Sequence, residues 1–290
     1  MATLRQLKRR ITSVRNTAKI TNALQLVAAS KMRRAQDRAL QARPYAEQLQ
    51  RVLAGLANAS GDDEESTHPL LTHRPVENIG ILHITPDRGL CGGLNANLNR
   101  AAGQWVATQE HPVSIVSVGK KGREFFARAR TNIGAEFTEL GDYPRPSDTL
   151  AISRVVTQDF INGAVDEVYI SYPRFVSTAS QVPTIVRLLP IEPPAADEAE
   201  EGLAGDYIFE PSPAVVFERL LPRYVDMIIY QAVLENSASF QAAQMVAMKN
   251  ATDNASEIEQ ELTLTYNKAR QEQITNELLD IVGGAAALEA

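Results

Sequence analysis

One cysteine, Cys91, and four histidines are all this 290-residue sequence holds of two residue types that commonly build metal centres and nucleophilic dyads. A single cysteine excludes an internal disulfide and fits a reducing compartment. His68, His73, His83 and His111 show neither metal-ligand nor triad spacing, and no His is placed by sequence to activate Cys91. His83 falls inside an apolar run and reads as a core residue with its ring nitrogens satisfied. No catalytic residue, cofactor ligand or metal ligand is therefore expected. Long apolar runs are missing too: none approaches the ~18 residues of a membrane-spanning helix. The N-terminus is basic but lacks an apolar h-region, so a secretory signal is not expected. Met1–Lys19 has the basic, acid-free, amphipathic character of a mitochondrial-type presequence, but its pattern continues unbroken past Ser30 and reads as a structural helix.

Phosphate loops are also absent. Thr85-Pro-Asp-Arg-Gly-Leu-Cys-Gly-Gly-Leu-Asn follows a strand-like run and opens a helix, where such a loop would sit. It contains no G-x-x-x-x-G-K-[ST] and no G-x-G-x-x-G in register. Its glycines read as a tight turn with positive φ, and Gly119-Lys-Lys-Gly reads as a basic turn between strand and helix. The sixteen Tyr and Phe residues do not interleave with basic ones, so no base-stacking surface is indicated.

Helix breakers are the most informative absence. From Pro211 to Ala287 there is no proline beyond Pro222, and no glycine between Gly205 and Gly283. Apolar residues recur there at helical spacing: Val216, Leu220, Val225, Ile228, Ile229, Ala232, Val246, Ala247, Ile258, Leu262, Ala269, Ile274, Leu278 and Ile281. This predicts one very long helix. Some 70 residues at 1.5 Å each span about 100 Å, too long to sit inside its own globule. The chain must supply a partner helix, and other proteins must cover what that partner leaves bare.

Residues 3–57 supply the partner. Leu4, Leu7, Ile11, Val14, Ala18, Thr21, Gln25, Ala28, Met32, Ala35 and Ala39 form a heptad-like seam, with Ile20, Leu24 and Val27 as a second stripe. Two stripes imply two neighbours. Pro44 predicts a kink or short interruption. After the charged, breaker-rich loop Gly61–Pro69, the period changes. Ile79–Thr85, Val113–Val118 and Val168–Tyr172 read as buried strands, and Gln181–Leu189 as a further one, placed at an edge by Pro183. Helices are expected around Leu94–Thr108, Lys121–Arg130 and Thr149–Asn162, and the alternation predicts a parallel sheet covered by helices. An acidic, proline-rich linker follows, and Ser212 and Pro213 form the N-cap and first position of the long helix. The expected organisation is a helix over 1–60, an α/β domain over 75–195, a linker and foot over 196–211, and a helix over 212–287. The fold class is mixed α+β, with the two terminal helices as antiparallel partners around the inserted domain.

Charge is distributed unevenly. Residues 1–50 hold eleven basic residues against Asp37 and Glu47, a net +9, in a chain whose total is −6. A cationic end that meets an acidic partner is one reading, and a solvated face offset by the acidic C-terminal helix is the other. Phosphate contact by this helix is a further reading, opposed for the whole chain by its pI near 5.4.

Three segments carry a resemblance that spans essentially the whole chain. Ser13–Gln36 resembles the N-terminal signature of the ATP synthase gamma subunit family. Asp87-Arg-Gly-Leu-Cys-Gly-Gly-Leu-Asn resembles its central-domain loop, and Met248–Ala255 with Leu264–Glu277 its C-terminal signature. The resemblance implies a left-handed antiparallel coiled coil with a Rossmann-like domain, serving as a non-catalytic rotor shaft inside three alpha and three beta subunits. Membrane proton flow turns it, and nucleotide chemistry belongs to the beta subunits. Implied partners are those subunits, epsilon and the membrane c-ring, at the cytoplasmic face of a bacterial plasma membrane, without nucleic acid or membrane insertion. Implied coupling contacts to beta subunits are Lys19, Ile20, Thr21, Leu24, Asp87, Arg88, Cys91, Arg270, Gln271, Thr275 and Glu277. Leu278, Leu279, Ile281 and Val282 would form an apolar bearing, and Tyr207 and Glu210 the foot on the c-ring and epsilon. The +9 helix then faces acidic levers on the beta subunits, which favours the functional reading of its charge.

Three departures qualify the match. Leu24 stands where the family usually has Met, and Phe240 and Gln244 where Glu and Arg are common, which removes an ion pair and leaves Phe240 to pack on the central domain or a neighbour. The chloroplast redox insertion is missing, so no thiol switch is expected. Two other functions compete with the shaft: a nucleic-acid-associated coiled coil using the basic helix, and a small α/β nucleotide-binding enzyme with helical arms.

Overall fold

The computed structural model describes residues 3–59, 68–192 and 213–289. Helix α1 spans Leu4–Ala59 and α5 spans Pro213–Glu289. Between them run β1 (Ile79–Ile84), α2 (Leu94–Ala107), β2 (Val113–Val118), α3 (Lys120–Arg128), β3 (Ile133–Phe137), α4 (Pro146–Ile161), β4 (Glu167–Phe175) and β5 (Gln181–Leu189), with a 3₁₀ turn at Pro69–Leu71. The chain forms two compact units, Met1–Ala28 with Met245–Ala290, and Ala29–Gln244.

In the first unit, α1 and α5 pair antiparallel. The Thr21 and Thr252 hydroxyls lie 2.6 Å apart, and Arg15 Nε donates to Glu259 Oε1 at 2.8 Å. Residue numbers in these two pairs add to 273 and 274, which sets the register of the seam. Leu7, Thr21 and Ala28 of α1 are buried along it, in the heptad-like spacing read from the sequence, and so are Met248 and Ala255 of α5, which the apolar positions read on that helix did not include. Small residues such as Ala28 and Ala255 let the backbones approach while contributing little apolar area. Carried to the start of α1, the same register places Leu4 beside residue 269 or 270 of α5.

In the second unit, the sheet has the order β3-β2-β1-β4-β5. β1 is central because all six of its residues are buried, with parallel partners on both sides. Side chains alternate across it. Leu82 and Ile84 face a core shared with Ile152, Val156 and Phe160 of α4, with Leu49 and Leu53 of α1, and with Leu221, Val225 and Ile229 of α5. Ile81 faces the opposite way, with Ala102 of α2, Ile115 and Phe126 of α3. The sheet is thus sandwiched between α2–α3 on one side and α4 with the adjoining stretches of α1 and α5 on the other.

The structure differs from the sequence expectations in three places. β5 is antiparallel to β4, so the sheet is mixed: a short link from Phe175 to Gln181 can turn a hairpin but cannot make a parallel crossover. Strand β3 was not expected, because Ile-Gly-Ala-Glu-Phe is short and three of its residues, Gly134, Ala135 and Glu136, are poor strand formers. Of the kink or short interruption expected at Pro44, the interruption is not found: α1 is one continuous helix there. Proline removes one backbone hydrogen bond from the helix interior, and this one stands at an exposed position. The linker over 196–211, including Ser212 beyond it, lies outside the described residues.

Candidate functional site

The N-terminal contact turn divides by helical geometry. Lys19 and Ile20 are exposed, Ile20 at 61%, and Leu24 is half-buried. Thr21 is buried and its hydroxyl meets Thr252, so it serves the seam and offers no outward surface. Leu26 and Val27 extend the exposed apolar surface begun by Ile20. Among the described residues, Arg5, Lys8, Arg9, Arg10, Lys19 and Arg33 are exposed and have no ion-pair partner, whereas Arg15 pairs with Glu259 and Lys31 with Asp142. The helix therefore keeps most of its cationic charge free.

The loop from Pro86 to Gly93 is pinned at both ends. At one end Asp87 accepts the Lys120 N–H through Oδ1 at 3.0 Å and the Glu139 N–H through Oδ2 at 3.1 Å. At the other end Cys91 is buried against Leu94, Phe240 and Ala243. Between the pins, Arg88 and Leu90 project outwards, and Leu90 is 64% exposed with φ 62°. The left-handed backbone was expected at glycine; Gly92 adopts it (φ 58°), but so does Leu90. Cys91, expected at the contact with a partner, has its side chain turned inward, where Phe240 provides an apolar wall behind the loop. Burial pushes its thiol pKa up, which disfavours the thiolate a nucleophile requires. Phe240 packs on the central domain, against Cys91 and Leu94.

This loop and the start of α3 lie where a doubly wound sheet holds a phosphate. The α3 amides are already taken. Lys120 N–H goes to Asp87, Lys121 N–H to the Pro86 carbonyl at 3.3 Å, and Gly122 N–H to Thr85 Oγ1 at 2.8 Å. Gly119 (φ 91°) lets α3 come this close, since a Cβ there would stand 2.0 Å from the Thr85 carbonyl oxygen. A protein carboxylate thus occupies the anion position. The crevice beside it, about 360 Å³, is roofed by Asn236, Ser237, Phe240 and Gln241 of α5.

His83 is fully buried, with Nδ1 3.1 Å from Ser171 Oγ and Nε2 2.9 Å from Asn99 Oδ1. Desolvation lowers its pKa to about 4, opposed by the Asn99 hydrogen bond. Both ring nitrogens are committed and the imidazole is neutral at pH 7, as a core histidine should be.

At the far end of α5, Arg270, Gln271, Thr275 and Glu277 are exposed. Glu277 Oε1 accepts from Gln273 Nε2 at 2.8 Å, and Thr275 donates to the Gln271 carbonyl at 2.9 Å, so neither is held by another element. Leu278, Leu279, Ile281 and Val282 are 57%, 63%, 68% and 64% exposed. The seam register explains this: α1 starts beside residue 269 or 270, leaving α5 alone beyond it. Tyr207 and Glu210 lie outside the described residues.

Sequence reading missed a cluster around the β3–α4 loop. Asp142 accepts from Lys31 Nζ at 2.7 Å, Arg34 Nη1 donates to Tyr143 Oη at 3.3 Å, and the Arg38 guanidinium lies 4.7 Å above the Tyr143 ring. The available signal was the spacing of Lys31, Arg34 and Arg38, which puts three cations on one helix face.

Two long helices paired antiparallel, an inserted α/β domain whose anion position is filled by its own carboxylate, and a bare apolar helix end define an interaction protein of the coiled-coil stalk type. A family model described as ATP synthase matches residues 3–288, and the chain belongs to the ATP synthase gamma chain family. The ATP synthase gamma chain of Dehalococcoides mccartyi (strain CBDB1) is 57% identical over 99% of this chain and 100% of that protein. That of Roseiflexus castenholzii is 49% identical over 99% of each. In fold, the chain is similar to one in the Euglena gracilis mitochondrial ATP synthase OSCP/F1/c-ring structure, rotational state 3, with TM-score 0.68, 23% identity, and 98% and 94% of the two chains covered. A chain of the Tetrahymena thermophila mitochondrial central stalk and c-ring gives TM-score 0.63 at 24% identity, covering 80% and 99%. The nucleic-acid and nucleotide-enzyme alternatives are not favoured by a match of this length. Among the described residues, no helix is long and apolar enough to cross a membrane.

Proposed function

We propose that this chain is the central rotor shaft of an F-type ATP synthase, carrying torque between a membrane proton ring and a catalytic ring of three alpha and three beta subunits. It performs no covalent chemistry itself. The observation that supports this most is the end of α5, where four large apolar side chains stand more than half exposed on an unpartnered helix. Leaving each in water forgoes about 1.5–3 kcal/mol of burial, and apolar surface of this kind marks a surface that a partner covers. These apolar groups cover nearly half the circumference of one helix, with Asp280 on the opposite side, and a broad apolar face of this kind suits a sleeve in which the helix turns. Arg270, Gln271, Thr275 and Glu277 supply polar contacts to beta subunits just before that end. Lys19, Ile20 and Leu24 in the first unit, and separately Arg88 and Leu90 in the second, are contacts for the acidic levers of the beta subunits, where free cations add on-rate and specificity. Asp87 supports the second of these by holding its own loop in place. Tyr207 and Glu210 belong to the foot on the c-ring and epsilon, within a domain organisation of 1–60, 75–195, 196–211 and 212–287. The chain works peripherally, at the cytoplasmic face of a bacterial plasma membrane.

Reconstitution with a partner alpha–beta ring tests the shaft. ATP hydrolysis should become faster and more cooperative when this chain is added; equal activity with and without it refutes the reading. Leu24→Lys, which puts a cation at the lever contact, sharpens it. Proton transport per ATP hydrolysed should fall while turnover is less affected, and an unchanged ratio removes Leu24 from the contact.

A further inference from the structure

The β3–α4 loop carries an arrangement that no role described so far uses. Asp142 stands at a junction of three elements. Its Oδ2 accepts from Lys31 Nζ of α1 at 2.7 Å, and its Oδ1 lies 3.9 Å from Arg88 Nη1 on the exposed loop. Its backbone carbonyl accepts from Ser237 Oγ of α5 at 3.4 Å. Next to it, Tyr143 is held by Arg34 and lies under Arg38, and Tyr230 Oη of α5 donates to the Pro144 carbonyl at 3.5 Å. The loop reaches this position through two left-handed residues, Glu139 (φ 65°) and Gly141 (φ 78°). The Glu139 backbone is in turn fixed by the Asp87 carboxylate.

We propose that the loop from Glu139 to Pro144 is a strap that fixes the Arg88–Leu90 tip to α1 and α5, with Asp142 as the positioning residue. This rests on the shaft reading and deepens it. The tip is the most exposed part of the central domain's loop, and Asp87 and Cys91 hold only its ends. A force applied to a tip held only there is absorbed by loop movement. Asp142 adds a third hold on Arg88 itself and shares it with Lys31 and Ser237, so displacement of the tip is passed to both helices. Arg88 is 70% exposed and its contact is long, whereas Asp142 and Lys31 are 27% and 28% exposed. The strap is therefore firm on the helix side and compliant on the tip side. A network that shares one carboxylate also resists salt better than an isolated surface pair.

The test uses the complete enzyme in proteoliposomes, reading protons pumped per ATP hydrolysed. Asp142→Asn keeps the shape and removes the charge; it should lower that ratio about two- to fivefold, the equilibrium worth of one such ion pair, with hydrolysis itself close to wild type. Asp142→Glu, which restores a carboxylate, should recover most of the ratio. Arg88→Gln breaks the same link from its exposed side, where folding is indifferent. Arg88→Gln also removes the outward contact of Arg88, so adding Asp142→Asn to it should lower the ratio no further than Arg88→Gln alone, as expected when the link to Asp142 is already broken. Raising the salt should lower the wild-type ratio by a larger factor than the Asp142→Asn ratio, which has already lost the strap's share of the salt-sensitive contacts. Equal coupling in wild type and Asp142→Asn at all salt concentrations, or additive losses in the double variant, overturns the strap. If the wild-type chain itself neither stimulates nor couples, it is the shaft reading that has failed, and the two failures cannot be confused.

Discussion

Phe160 and Leu279 are both large apolar side chains on helices, yet one is 1% exposed and the other 63%. Phe160, on α4, belongs to a core built from the sheet, α4 and stretches of α1 and α5. Leu279 has no partner element, because the seam with α1 has already ended. The same chemistry therefore does two jobs. In the central domain apolar area supplies folding energy, and at the end of α5 it is held in reserve for another protein. The comparison can be broken at either end, and the largest effect is expected in the domain. Phe160→Ala removes a fully packed ring and should cost about 3–5 kcal/mol, read from urea unfolding of the full chain. A loss below about 1 kcal/mol would mean that the core collapses onto the gap and that the contrast is overdrawn.

His83 offers a second handle on the domain, through pH. Its folded pKa of about 4 lies below the ordinary 6.5, because burial disfavours the imidazolium. The unfolded chain then takes up a proton below pH 6.5 that the folded chain refuses. Stability contributed by neutral His83 is complete above pH 6.5, declines as pH falls towards 4, and changes no further below that. The full decline is on the order of 3 kcal/mol. In His83→Gln, the steepness of stability against pH between 6.5 and 4 should diminish, whatever the variant's stability at pH 7.5. A slope identical to wild type would show that other groups govern acid unfolding.

The two regions were not equally legible in the sequence. Segments whose partner is regular read well: β2 and β5 were placed to the residue, and the α1 seam appears with Leu7, Thr21 and Ala28 buried. Positions settled by one distant side chain did not. Whether Cys91 faces in or out depends on Phe240, which comes from α5. Asp142 finds Lys31 across 111 residues, and nothing periodic announces such a meeting. Strand β3 escaped because neighbours in the sheet, and not its own propensity, hold it extended. The exposed end of α5 was legible in a different sense. A breaker-free apolar helix longer than any partner the chain could offer already implied a bare stretch, and the seam register then locates its beginning near residue 270.

That bare stretch gives the smallest expected effect on folding and the sharpest contrast. Replacing Leu278, Leu279, Ile281 and Val282 by Ser changes about as much apolar volume as a severe core lesion, but at sites that are more than half exposed and lose little packing. Unfolding of the isolated full chain should move by no more than about 0.5 kcal/mol per site, the range of ordinary surface changes, together with a small loss of helix propensity. Hydrogen exchange makes the same point without mutation. Amides beyond residue 270 should exchange quickly in the free chain, because a lone helical end of this length is marginal in water. They should be protected once the alpha–beta ring surrounds it, and the Ser variant should bind that ring more weakly than wild type. Strong protection in the free chain would mean that α5 finds a partner within its own molecule. The exposed leucines would then belong to the same category as Phe160, and the distinction between folding surface and bearing surface would fall.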